Sequence, residues 1–203
     1  MKVEQFLTSV IGTNTYLVYE NERGFIVDPG DDGDGLYLEA VRRNVKIEAV
    51  LLTHGHFDHI NGAKYLQDKG AKVYCHRLDE DKLNSYRSLA SLAGVKLNPV
   101  KPDVLLDGGE TLEIAGMTVK TIWTPGHSKG GICYVVGDCI FVGDTLMSGS
   151  YGRYDFYDGD FGELKDSIVN KLFTLSGDYK IYTGHGASTT LDEERKLNPI
   201  NFE

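Results

Sequence analysis

The sequence predicts an α+β fold in which two β-sheets pack together and are covered by helices. Strand-like segments occur early and late in the chain, and helical segments lie between them. Several of the strand-like segments are apolar throughout, which is typical of strands that are buried on both faces. Glycine accounts for 24 of the 203 residues, and this favours a fold with many tight turns.

The first half of the chain alternates β-type runs with helical patterns. One run ends in the turn sequence Asp28-Pro29-Gly30. The run AVLLT at 49–53 is continuously apolar and predicts a buried strand, and a later helical pattern is closed by Gly70. The predicted strands of this half are 14–19, 24–28, 49–53 and 72–75, and the predicted helices are 36–43, 59–69 and 78–93.

The second half is rich in strands and ends in helices. A helix is predicted after the N-cap Asp160, because Leu164, Ile168 and Leu172 follow at helical spacing. A final helix is predicted from the capping box at 190–193 to the region of Pro199. The predicted strands of this half are 104–106, 111–114, 117–123, 132–136, 139–142 and 180–182.

Composition limits the possible classes of partner. A single domain over 1–203 is expected, and the net charge of −9 disfavours nucleic acid as a partner. The N-terminal segment lacks the pattern of a signal peptide, and no apolar run approaches about 18 residues, so we expect a cytoplasmic protein that does not enter a membrane. The three cysteines lack metal-binding spacing and are interpreted as reduced structural residues. The oligomeric state stays open.

Four apolar strands are each followed closely by a potential metal ligand. The ligands are His54, His127, Asp144 and His185, and glycines flank each of them. Because the ends of separate strands can meet along one edge of a sandwich, these side chains are expected to lie together. His76 lacks this setting and is interpreted as an ordinary structural residue.

The densest group of ligands is His54-Gly55-His56-Phe57-Asp58-His59. Residues two apart in an extended segment point the same way, so His54 and His56 can bind one ion. Asp58 and His59 can be directed to a second ion, and a carboxylate can bridge the two. The predicted division is His54, His56 and His127 for one ion, Asp58, His59 and His185 for the other, and Asp144 as the bridge. The predicted cofactors are two divalent ions, zinc first, with iron or manganese as alternatives.

These motifs resemble those of a known superfamily. THGHFDH at 53–59, TPGH at 124–127, GDT at 143–145 and GHG at 184–186 are similar, in this order, to the ligand motifs of the metallo-β-lactamase superfamily. The resemblance covers nearly the whole chain. It implies an αββα sandwich, with two mixed β-sheets packed face to face, helices outside, and a dinuclear metal site along one edge.

Within that superfamily the chain looks most like the glyoxalase II (hydroxyacylglutathione hydrolase) branch. The similar segments are GTNTYLV at 12–18, VDPG at 27–30, GDTLMSGSYGRYD at 143–155 and GHGASTTLDEERKLNP at 184–199. An aspartate rather than a cysteine at position 144 separates the chain from typical zinc β-lactamases. Glyoxalase II enzymes carry a C-terminal helical domain that supplies glutathione-binding residues, and this sequence ends at Glu203 without such a segment. Arg153 stands where the branch has a basic residue, and Asp155 where it has a tyrosine.

The predicted function is therefore a dinuclear metal-dependent hydrolase of small acyl thioesters. Asp58 is the predicted catalytic residue, because it can aim the attacking water as well as bind an ion. Arg153 and Tyr154 are the predicted substrate-binding residues, although Arg153 can equally form an ion pair with Asp155 or Asp158. The alternatives are an iron-dependent persulfide dioxygenase, a lactonase or phosphodiesterase of the same fold, and a non-catalytic metal-binding module.

Overall fold

Two six-stranded sheets form the centre of the protein, in a computed structural model that describes all residues 1–203. The first sheet contains β1 (Lys2–Thr8), β2 (Thr13–Glu20), β3 (Arg23–Val27), β4 (Lys46–Leu51), β5 (Lys72–His76) and β6 (Val104–Leu106). Its strands follow one another in chain order. β1, β2 and β3 are antiparallel, whereas β3 to β6 are parallel, so the sheet is mixed.

The second sheet is also mixed and is joined by a short two-stranded ribbon. Its strands are β7 (Thr111–Ile114), β8 (Met117–Trp123), β9 (Ile132–Val136), β10 (Cys139–Gly143), β13 (Lys180–Thr183) and β14 (Thr189–Thr190), and the ribbon is β11 (Leu146–Met147) with β12 (Ser150–Tyr151). The order across the sheet is β14-β13-β10-β9-β8-β7. Only β10 and β13 pair in parallel, which places their carboxyl ends side by side.

Helices cover the outer faces of both sheets. They are α1 (Gly33–Arg42), α2 (Phe57–Ile60), α3 (Ala63–Asp68), α4 (Phe161–Asp166) and α5 (Leu191–Leu197), with 3₁₀ turns at Arg77–Asn84, Tyr86–Ser88 and Pro199–Phe202 and a π-helical turn at Ser167–Leu172. The longest helix, α1, has ten residues, and no helix has the length and apolarity needed to cross a membrane.

The alternation of side chains along β2 shows how the layers are built. Tyr16 and Val18 belong to the core between the two sheets, whereas Leu17 and Tyr19 pack in a second core on the outer face, with residues of α1 and α3. Because both faces are covered, β2 is buried along almost its whole length. A third core joins the second sheet to α4 and α5. The predicted αββα sandwich is confirmed.

Two local predictions were wrong, and one long edge strand was missed. The edge strand β1 was not predicted, because most of its side chains are at least partly exposed and give no continuous apolar signal. The predicted helix 59–69 is divided into α2 and α3, since Gly62 approaches the backbone of Gly33 too closely for a side chain. In place of the predicted helix 78–93 the chain forms 3₁₀ turns up to Ser88 and an irregular segment after them. Asp79 and Lys82 point into a buried polar network, and Leu89 has a φ of +68°.

The layer between α1 and the first sheet predicts a clear contrast in stability. Leu36 is 2% exposed in the core beneath α1, whereas Leu38, on the same helix, is 52% exposed. Leu36→Ala should lower the free energy of unfolding by about 2–5 kcal/mol, and Leu38→Ala by less than about 0.5 kcal/mol. Urea unfolding of the two variants checks this, and equal midpoints would contradict the assignment of this face to the core.

Candidate metal centre

The carboxyl ends of four strands converge at one edge of the sandwich. His54 follows β4 of the first sheet, while His127, Asp144 and His185 follow β8, β10 and β13 of the second sheet. His56 directly precedes the short helix α2, which carries Asp58 and His59. The structure therefore brings all seven predicted ligands together between the two sheets.

The first ligand cluster consists of three imidazoles. The Nε2 atom of His127 lies 3.3 Å from Nε2 of His54 and 3.0 Å from Nδ1 of His56. Four ligands placed tetrahedrally, with zinc–nitrogen bonds of about 2.0–2.1 Å, have nitrogens about 3.3 Å apart. The spacing of these three atoms therefore fits one ion and leaves a fourth position for a further ligand.

The second cluster combines two imidazoles with a carboxylate. The Oδ2 atom of Asp58 lies 3.2 Å from Nε2 of His59 and 3.2 Å from Nε2 of His185. These three atoms are again close enough to bind a single ion. The two clusters match the division predicted from the sequence.

Asp144 lies between the two clusters. Its Oδ2 atom is 3.6 Å from Nε2 of His127 in the first cluster and 3.6 Å from Nε2 of His185 in the second. Its Oδ1 atom is 3.6 Å from Nε2 of His59. The carboxylate can thus contribute to both ion sites, as a bridging ligand does.

Three buried atoms of the ligand side chains have no hydrogen-bond partner: Nε2 of His56, Nε2 of His59 and Oδ1 of Asp144. The last two lie 3.6 Å apart among the ligand atoms. An unpaired buried polar atom is costly unless something else satisfies it, and an ion placed among these ligands would do so. Nitrogen and carboxylate donors in this proportion suit zinc or iron, so the residues present fit a dinuclear metal centre.

Asp28 orients the ligands that come from the first sheet. Its Oδ1 atom accepts the backbone N–H of Thr53 at 2.8 Å, and its Oδ2 atom accepts the Thr53 hydroxyl at 2.6 Å. The Nδ1–H of His59 donates to the same Oδ2 at 2.9 Å, which leaves Nε2 free to face an ion. Since the hydroxyl of Thr53 donates to Asp28, its oxygen accepts from Nδ1 of His54 at 3.1 Å.

Backbone carbonyls orient two further imidazoles. Nδ1 of His127 donates to the carbonyl of Arg153 at 2.7 Å, and Nδ1 of His185 donates to the carbonyl of Gly12 at 3.3 Å. In both rings Nε2 is left facing the ligand cluster. The tautomers are therefore set by partners outside the cluster.

Burial and neighbouring charges shift the pKa values of these groups in opposite directions. Burial lowers the pKa of His54 and of His56, which keeps both imidazoles neutral and able to bind metal. Burial also opposes charge on His59, but Asp58, Asp28 and Asp144 outweigh it and raise the pKa of His59. Burial alone would raise the pKa of Asp58, but the neighbouring imidazoles of His59 and His185 and the hydroxyl of Thr13 hold that pKa below its usual range.

A buried network behind the first cluster was not found from the sequence. Asp79 is fully buried and accepts the N–H of Gly55 at 2.8 Å and the Ser128 hydroxyl at 2.9 Å through Oδ2. Its Oδ1 atom accepts the N–H of Gly130 at 2.8 Å and Nζ of Lys82 at 2.5 Å. Asp79 therefore links the loop that carries His54 and His56 to the loop that carries His127.

Lys82 is also buried and forms a second ion pair, with Asp158, at 2.6 Å. Its positive charge therefore balances part of the negative charge of the two aspartates.

Gly184 is required by the packing around Asp144. A side chain at this position would collide with Oδ1 of Asp144 and with the ring of His59. The absence of a Cβ atom lets β13 approach the ligands closely enough for His185 to join the second cluster.

A cavity of about 500 Å³ opens directly onto the ligand clusters. The two predicted substrate-binding residues differ in their relation to it. Arg153 lines the cavity, and its guanidinium binds Asp155 through two hydrogen bonds of 2.7 and 2.8 Å, with no contact to Asp158. Tyr154 is not among the lining residues, and Tyr151 lines the cavity instead. His76 lies outside the centre, stacked on Trp123.

Comparison with known proteins places this geometry in a family. A sequence model of the metallo-beta-lactamase superfamily matches residues 8–185. The hydroxyacylglutathione hydrolase GloC of Haemophilus influenzae is 31% identical over 207 residues, covering 98% of each chain. The predicted resemblance, recognised from the motifs alone, is confirmed.

Two solved structures share the whole fold. The crystal structure of the BLEG-1 B3 metallo-beta-lactamase has a TM-score of 0.92 and 34% identity, and covers 98% of each chain. The crystal structure of TTHA1623 in a di-iron-bound form has a TM-score of 0.87 and 32% identity, and covers 97% of this chain and 99% of the other. A similar protein therefore holds two metal ions.

The two ligand clusters predict about two ions per chain. Protein saturated with zinc or iron and then freed of excess metal should retain about two equivalents, since seven ligands are present where one catalytic zinc uses about three. Elemental analysis measures this ratio. At most one tightly held ion would exclude the dinuclear assignment.

The bond between His59 and Asp28 predicts an effect on metal affinity. In Asp28→Asn the amide oxygen of the new side chain can still accept the N–H of Thr53. Its NH₂ group would then face the Nδ1–H of His59, so that two donors would oppose each other. His59 would be driven toward the tautomer whose Nε2 carries hydrogen, and metal affinity should fall by about 10–100-fold. A competition titration against a chromophoric chelator measures the change.

Asp103→Asn is the matched control, because Asp103 forms hydrogen bonds with Gln67 and the N–H of Val73, away from the ligands. Unchanged affinity in Asp28→Asn, or an equal loss in the control, would contradict the proposed role of Asp28.

Proposed function

The chain belongs to the metallo-β-lactamase superfamily, and from this premise we infer that it is a dinuclear metal-dependent hydrolase of acyl thioesters. The observation that carries the inference is the pair of ligand clusters joined by Asp144 and open to one cavity. The similarity to a protein named hydroxyacylglutathione hydrolase, over 98% of both chains, supports the thioester as the bond that is cleaved.

Seven side chains would hold the two ions. His54, His56 and His127 form one site, Asp58, His59 and His185 form the other, and Asp144 belongs to both. Two divalent ions bound there supply Lewis-acid polarisation of a carbonyl oxygen and lower the pKa of an attacking water toward about 7.

Asp58 has a second task in this function. Because its pKa is held low, its carboxylate stays ionised at neutral pH and can accept a hydrogen bond from the attacking water. The hydroxyl of Thr13 donates to Oδ2 of Asp58 at 2.7 Å and fixes the orientation of the carboxylate. Asp58 is therefore the side chain best placed to aim the water at the substrate carbonyl.

The reaction balances as a hydrolysis. The water oxygen forms a bond with the acyl carbon, the bond from that carbon to sulfur breaks, and the products are a carboxylate and a thiol. The thiol retains one proton of the water, and the other is released to solvent at neutral pH. No oxidant or further reactant is needed, which distinguishes this function from the persulfide dioxygenase.

A β-lactam is a second candidate substrate. The structural similarity to the BLEG-1 metallo-beta-lactamase, with 34% identity and a TM-score of 0.92, favours testing it. Two ions held by this ligand set would also polarise a lactam carbonyl, so we expect the lining of the cavity to decide between the two substrates.

We expect metal-loaded protein to hydrolyse acyl thioesters, and Asp144→Ala to reduce kcat/KM by at least about a hundredfold, or about 2.7 kcal/mol of transition-state stabilisation. Thiol release from a thioester panel, with zinc, iron and manganese tested separately, measures this. Asp68→Ala is the control, because Asp68 is exposed and pairs only with Lys64. Hydrolysis of a chromogenic cephalosporin alone would favour the β-lactam, and oxygen uptake with glutathione persulfide would favour the dioxygenase.

A further inference from the structure

The cavity above the metal ligands has one predominantly apolar wall. Ile11 from the turn between β1 and β2 and Phe57 from α2 line it, together with Leu89, Leu92 and Ala93 from the irregular segment after Tyr86–Ser88. Eight of the 15 lining residues are hydrophobic, and the ligand side chains supply much of the remainder. The wall therefore offers a substrate little besides apolar contact.

The rim of this wall leaves large apolar side chains in solvent. Leu92 is 80% exposed and Ile11 is 56% exposed. Exposed apolar side chains that border a cavity are typical of ligand-binding grooves. An apolar group that enters from solvent toward the metal ligands would cover both of them.

The positive charge of Arg153 is already compensated. It is the only lysine or arginine that lines the cavity. Its guanidinium forms the paired hydrogen bonds with Asp155 and lies 4.1 Å from the ring centre of Phe156. Asp155 already occupies the Nε–Nη2 edge of the guanidinium and neutralises its charge, so an anionic acyl group gains little here.

We propose that this wall is an acyl subsite that selects thioesters with an extended, uncharged aliphatic acyl chain over short or anionic ones. The proposal rests on the proposed function, since it names the acyl part of the substrate. The carbonyl would lie at the metal ligands, and the chain would run outward along Phe57, Ile11 and Leu92.

A series of N-acetylcysteamine thioesters tests the subsite, because the leaving thiol is small, neutral and constant. Each buried methylene contributes up to about fourfold in kcat/KM. The hexanoyl thioester should therefore exceed the acetyl thioester by at least about tenfold, and the succinyl thioester should gain nothing over acetyl. Equal values for hexanoyl and acetyl, or a preference for succinyl, would overturn the proposal.

Two substitutions at the rim test whether the preference for a long acyl chain arises from this wall or from apolar contact elsewhere on the protein. Leu92→Ser and Ile11→Ser should each reduce the ratio of hexanoyl to acetyl kcat/KM by about threefold or more, since each removes apolar contact from the rim. Leu197→Ser is the matched control, because Leu197 is 68% exposed on α5 and does not line the cavity. An unchanged ratio in both rim variants would contradict the placement of the chain.

Binding measured without turnover distinguishes failure of the subsite from failure of the proposed function. In dethia analogues a methylene replaces the thioester sulfur, so these ketones cannot be hydrolysed. Calorimetry on the metal-loaded protein should give a Kd for the hexanoyl analogue at least about tenfold below that for the acetyl analogue. Chain-dependent binding without hydrolysis of any thioester would retain the subsite and reject the thioesterase. If thioesters are hydrolysed but neither binding nor kcat/KM depends on the length of the acyl chain, the subsite is rejected and the thioesterase is retained.

Discussion

The carboxylate of Asp28 is the contact on which the arrangement of the metal ligands depends. It lies directly after β3, with a φ of +49°, a conformation that aspartate tolerates better than most residues. From there it binds the backbone and hydroxyl of Thr53, which follows β4, and the ring of His59 in α2. One side chain thus links two neighbouring parallel strands to the helix that completes the ligand group. Because Thr53 in turn contacts His54, Asp28 influences both clusters.

The second cluster also depends on contacts that cross between the sheets. The amide of Asn14 donates to the carbonyls of Thr183 and Gly186, and the hydroxyl of Tyr16 donates to the carbonyl of Thr183 at 2.6 Å. These bonds hold the end of β13 against β2, so that His185 meets Asp58 and His59 from the opposite sheet. The centre is therefore built from two sheets whose separation is fixed by buried hydrogen bonds as well as by the apolar core.

Local sequence signals predicted the fold and the candidate metal ligands. They did not predict the residues that hold those ligands in place. An apolar strand followed by a histidine or aspartate beside glycine is a pattern visible in a few residues, and it indicated four of the seven side chains that the structure brings together. The dense segment 54–59 indicated the other three. Asp28 gave only a turn signal, and Asp79 lies in a segment whose spacing resembles a helix. Their partners are distant in sequence, so no local pattern indicates them. Tyr154 and Tyr151 lie close together, and only the fold determines which ring faces the cavity.

The hydrogen bonds of Asn14 join positions up to 172 residues apart, and this bears on the order in which the centre is completed. During synthesis the chain leaves the ribosome from its N-terminus. His54, His56 and His127 all emerge well before His185, so the two clusters become complete at different times. Contacts between such distant residues also form late in folding, because a long loop must close first. A growing chain can therefore expose the three histidines of the first cluster early. The second cluster is complete only after the segment that contains β13 and His185 has been synthesised.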